Sequence, residues 1–84
     1  MTILVVIRTR DPHRQAEALR AALGLTLRGA RLEVRVDPPL HTPLAQRAAE
    51  TLRAFGHSID SLDEPGSDSL GNALGRADRV EVWT

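Results

Sequence analysis

Five residues in one short turn carry the side chains best suited to holding an anion. Arg8, Thr9, Arg10, His13 and Arg14 lie between the apolar run Ile3 to Ile7 and a segment with helical patterning. Arginine offers paired N–H donors to a carboxylate, sulfate or phosphate. The free N–H groups and dipole at a helix N-terminus favour the same negative charge. A small anion or an RNA backbone fits that chemistry. Against it, Pro12 removes one of the N–H groups, and no glycine-rich loop brings a phosphate close to the backbone. The competing reading is a solvated turn whose arginines pair with Asp11, Glu17 or other nearby acids.

Other chemistry is sparse. His13, His41 and His57 are far apart in the chain. His13 and His41 both follow expected strands and would meet at one edge of a sheet, whereas His57 enters from the opposite edge. Two of them with Asp37 or Asp63 make a metal set in principle. No short-spaced ligand motif supports that, and no metal is assigned. The chain has no cysteine, which excludes disulfides, thiolate nucleophiles and cysteine zinc sites. Ser58, Ser61, Ser67 and Ser69 lie in no nucleophile elbow and read as turn and capping residues. No catalytic constellation is complete and no cofactor motif is present, so a non-catalytic role without a cofactor is expected. Trp83 has two readings. It sits at a subunit interface, where tryptophan is enriched, or it packs against Leu70 or Leu74.

The elements that would position these residues are clearer. Ile3-Leu4-Val5-Val6-Ile7 is a continuous, largely β-branched apolar run, as in a strand covered on both faces. Asp11-Pro12 supplies an N-cap followed by proline at the first helical position. Ala16, Leu19, Leu23, Thr26 and Leu27 then form a helical stripe, closed by Gly29. Leu32, Val34 and Val36 alternate with Arg31, Glu33 and Arg35, which predicts a half-buried strand at or near a sheet edge. Asp37-Pro38-Pro39 stops it. Thr42-Pro43 repeats the capping device, and Leu44, Ala45, Ala48, Ala49, Leu52 and Phe55 make the next apolar face before Gly56. A short strand is expected within His57 to Leu62, and a turn over Asp63 to Ser67. A helix from about Asp68 to Arg76 follows, weakened by Gly71 and Gly75. Arg79 to Trp83 alternates as a last strand, apolar at Val80 and Val82.

The order is β-α-β-α-β-α-β over one domain, residues 1–84. It predicts a small three-layer α/β sandwich with a mainly parallel four-stranded sheet. The arrangement is flavodoxin-like or Rossmann-like, and a 2-1-3-4 strand order would put a ligand between the first and third strands. A chain of 84 residues buries only about 60–65% of its unfolded surface, so association would help its stability. All eleven basic residues are arginine and the formal net charge is zero. Residues 1–36 hold seven Arg against three acids and residues 37–84 hold four Arg against eight acids, an imbalance suited to steering a charged partner. Zero net charge and two aromatic residues, Phe55 and Trp83, argue against nucleic acid. No apolar run reaches membrane-spanning length and no signal peptide precedes the first strand, so a cytoplasmic setting is expected.

The run EALRAALGLTLRG after a short apolar strand, the alternating strand after ARLEVRV, and the terminal ALGRADRVEVW resemble the DsrE-like sulfur-relay family. The last of these is similar to the closing helix and strand of its smaller TusB and DsrH type members. The resemblance implies a DsrE-like fold and homo- or hetero-oligomers. Active subunits of that family carry sulfur as a persulfide on cysteine. With no cysteine here, it implies a non-catalytic, partner-type subunit.

Overall fold

Asp11 and Thr42 start the two long helices as their side chains suggest. The computed structural model describes residues 1–36, 42–61 and 70–84. The Asp11 carboxylate accepts the His13 N–H at 2.9 Å, and the Thr42 hydroxyl accepts the Ala45 N–H at 3.0 Å. Proline follows each cap. Gly29 and Gly56 close the two helix ends at φ of 82° and 87°, a region open chiefly to glycine.

The elements run β1 (Thr2–Ile7), α1 (Pro12–Thr26), β2 (Arg31–Val36), α2 (Pro43–Ala54), β3 (Ser58–Ser61), α3 (Leu70–Arg76) and β4 (Arg79–Trp83). All strand pairings are parallel, in the order β3-β2-β1-β4. The expected α/β sandwich with a four-stranded sheet is therefore present. The strand order differs from the expected 2-1-3-4: β3 adds outside β2, and β4 crosses back to the far side of β1. A parallel crossover unit can extend a sheet in either direction, and nothing in the pattern of β3 specifies the side.

Helices cover both faces, unequally. Ile3, Val5 and Ile7 of β1 join Leu32, Val34, Val36 and Ile59 against the buried faces of α1 and α2. Leu4 and Val6 point the other way, onto Ala73 and Ala77 below the short α3. β1 is thus covered on both sides, as its unbroken apolar run predicts. The buried face of α1 runs through Gln15, Ala16, Ala18, Leu19 and Ala22, rotated from the predicted stripe, and Leu27 is exposed past the helix end. Alanine at 18 and 22 lets the helix approach the sheet closely. In α2, Ala45, Ala48, Ala49 and Leu52 are buried, but Leu44 and Phe55 are not.

β2 is not an edge strand. It lies between β1 and β3, and its alternating charges are answered on the α3 side. Arg76 makes a two-pronged bond to Glu33 at 3.1 and 3.0 Å. Arg35, only 3% exposed, reaches Asp60 at 3.3 Å. Internal ion pairs gave β2 the alternating look of a half-exposed strand. The two halves of unequal charge interleave in space, since β1 sits between β2 and β4. Among the described residues, no helix is long and apolar enough to cross a membrane.

Candidate functional site

With β3 beyond β2, the strand order reverses between β1 and β4, the place where open α/β sheets bind ligands at their strand ends. The basic turn lies there, because it leaves β1 directly. Its backbone is tied to the end of β4: the Arg8 and Thr9 N–H groups both donate to the Trp83 carbonyl, at 2.8 and 3.1 Å. Thr9 is buried. Its hydroxyl accepts the Asp11 N–H at 3.2 Å, and its carbonyl accepts from the fully buried Gln15 side chain at 3.1 Å. Thr9 and Gln15 therefore shape the turn from within. Gln15 carried no functional signal in the sequence, since a polar residue in the first helical turn usually faces water.

Arg8, Arg10, His13 and Arg14 are exposed around this turn. Arg14 has neighbours of its own. Its Nε donates to the Thr84 carbonyl at 3.0 Å, and its guanidinium lies 5.6 Å from the centre of the Trp83 ring, within cation–π range. The α1 N-terminus is largely occupied. Pro12 has no N–H, the His13 N–H is taken by the Asp11 side chain, and the Gln15 N–H by the Asp11 carbonyl. The Asp11 carboxylate stands where an external anion would use the helix dipole. Any anion here would be held by side chains, beside a fixed negative charge.

Trp83 is half-buried and lies level with Ile7, on the α1 face of the sheet. The register places it on the face opposite α3, so the alternative of packing onto Leu74 is not realised. Of the residues read as chemical from sequence, Arg8, Thr9, Arg10, His13, Arg14 and Trp83 come together at one end of the β1–β4 pair. His57 does not join them: its Nδ1 accepts the Leu32 N–H at 3.1 Å, at the opening of β2. His41, Asp37, Asp63, Ser67 and Ser69 lie outside the described residues. Among the described residues, no group of three or more His, Asp or Glu is placed to hold a metal ion.

Sequence reasoning singled out Trp83 at the end of β4 but missed the outer edge and exposed valines of that strand. β4 pairs only with β1, leaving one edge open among the described residues. Val80 and Val82 lie level with Leu4 and Val6, on the α3 side, yet are 42% and 56% exposed. Leu74 of α3 is 47% exposed. It sits on the flank of α3 opposite Arg76, which reaches toward β2. Helical phase therefore puts Leu74 on the β4 side. Three large apolar side chains thus line the uncovered margin of the sheet. The available signal was the length of α3: seven residues with two glycines cannot roof four strands. Comparison with protein-family models, curated proteins and solved structures gave no match.

Proposed function

We propose that this domain is a non-catalytic association subunit and that β4 is its contact surface. The observation that carries the reading is the β4 edge left open among the described residues, with Val80 and Val82 exposed beside Leu74. An unpaired strand edge offers a row of backbone donors and acceptors to another strand. The apolar margin beside it gives burial to a partner. Arg14 and Trp83 stiffen the end of this strand, so Trp83→Ala weakens association by loosening β4. The DsrE-like resemblance supports the same role through the order and length of its elements. A member without cysteine keeps the partner's part and not the sulfur carrier's.

The test is photo-crosslinking from position 82 in cells of the native host, with a probe at the exposed Arg20 of α1 as control. A discrete adduct from position 82, absent from position 20 and lost on Val80→Arg, is expected. Equal labelling from both positions, or none, contradicts the reading.

A second reading has the exposed basic side chains at the strand switch in its favour. There Arg8, Thr9, Arg10, His13 and Arg14 hold a small anion by side-chain contacts. It predicts that phosphate or sulfate raises the melting temperature at matched ionic strength, and that Arg8→Ala with Arg10→Ala abolishes the rise. The absence of any shift removes it.

A further inference from the structure

We infer that the occupant of the β4 edge is a second copy of this chain, paired antiparallel about a two-fold axis at Val80. The inference rests on the reading of β4 as the contact surface and adds the partner and the register. The charges of the strand carry it. On the α1 side of β4 only Arg79, Glu81 and Trp83 project, and Arg79 and Glu81 are joined by a 2.8 Å ion pair. They are opposite in sign and two residues apart. In an antiparallel pair centred on Val80, Arg79 of each copy stands directly opposite Glu81 of the other. On the other face Val80 meets Val80, at the cross-strand spacing where β-branched pairs are favourable.

The same two charges favour this register over the alternatives. Sliding the pair to a centre at Glu81 sets carboxylate against carboxylate. Like charges directly opposite one another are destabilising. A parallel pair of these two outer edges needs a two-fold along the strand, which turns one copy over, so Arg79 and Glu81 of the two copies project from opposite faces and gain no partner. Edge strands usually avoid self-pairing by carrying charge, but here the charges of the two copies pair in the register centred on Val80, repel in those centred on Arg79 or Glu81, and are left unpaired in the one centred on Val82, where Glu81 meets Trp83. A slip by one residue is closed as well, because it would turn the side chains of one strand to the opposite face. The other edge strand, β3, is shorter at four residues, and Asp60 is its one charged residue, so it has no such self-complementary pair. The result is a continuous sheet of eight strands with α1 and α2 of both copies on the same side.

The experiment is the solution mass of the purified chain, by light scattering behind a sizing column, from micromolar to millimolar concentration. The wild type is expected to rise from one chain of 9.2 kDa toward the mass of two. Arg79→Glu alone puts glutamate opposite glutamate, and Glu81→Arg alone puts arginine opposite arginine. Each is expected to stay at the mass of one chain. Mixed in equal amounts they are complementary again, and the mass of two chains returns. Should either variant lose the far-UV dichroism of the wild type, Val80→Arg replaces it and is expected to stay monomeric. The inference is overturned by a wild type that remains a single chain throughout, by single variants that dimerise like the wild type, or by a mixture that stays monomeric. A monomeric wild type whose position-82 probe labels a different chain removes the second copy and leaves the β4 reading standing. A monomer with no such label removes both.

Discussion

Several single residues have their roles set by one named partner. His57 offers Nδ1 to the Leu32 N–H, which needs an acceptor and not a ring. His57→Leu is expected to cost about 1 kcal/mol, while His57→Asn, whose amide oxygen can take that place, keeps most of it. Chemical denaturation of the two variants reads the difference. Arg35 presents a contrasting case. It is buried with one ion pair, to Asp60, and its Nε has no partner among the described residues. Burying an incompletely paired charge is costly, and an apolar residue of similar shape is often as good or better. Arg35→Met is therefore expected to lie within about 1 kcal/mol of wild type or above it. Asp60→Ala, which strands the guanidinium, is expected to cost about 2 kcal/mol. If Arg35→Met is the worse of the two, the pair holds the sheet together more than its geometry indicates. At this scale little was legible beforehand. The caps could be read because Asp11-Pro12 and Thr42-Pro43 act through their own backbone neighbours. Gln15 and Arg35 could not, since their partners Thr9 and Asp60 are fixed only by the turn after β1 and the pairing of β2 with β3.

At the scale of elements, α1 depends on its start. Asp11 caps it, and the hydroxyl of Thr9 holds the Asp11 N–H in turn. Asp11→Ala is expected to cost about 1 kcal/mol, with Asp11→Ser recovering most of it. Thermal unfolding of the three proteins decides, and equal midpoints would mean that the cap is dispensable. Strand and helix positions followed from local signals, since apolar runs, caps and glycines act within a few residues. Two features did not. The alternation in β2 suggested a place at or near an edge, and it lies one strand in, because Glu33 and Arg35 look solvent-facing until Arg76 and Asp60 are placed against them. The strand order could not be read because a right-handed crossover can add its strand on either side of the sheet, depending on which face its helix covers. Exposure of Val80 and Val82 depends on both, so a strand that reads as core from its alternation becomes the uncovered margin of the sheet.

At the scale of the whole molecule, among the described residues one face of the sheet carries two long helices and the other a single helix of seven residues. A small domain gains stability by burying such a margin against a second chain. The element order gives no warning of this, since it specifies three helices without saying how much sheet each one covers. The proposed dimer makes the outer edge of β4 the place where the chain meets its own copy. Amide hydrogen exchange of β4, followed by nuclear magnetic resonance at low and high chain concentration, tests it most directly. Outward-pointing amides of Arg79 to Trp83 are expected to exchange many-fold more slowly at high concentration, with the exposed turn of α1 unchanged. Identical exchange of β4 at both concentrations, or slowing confined to another edge, would contradict it.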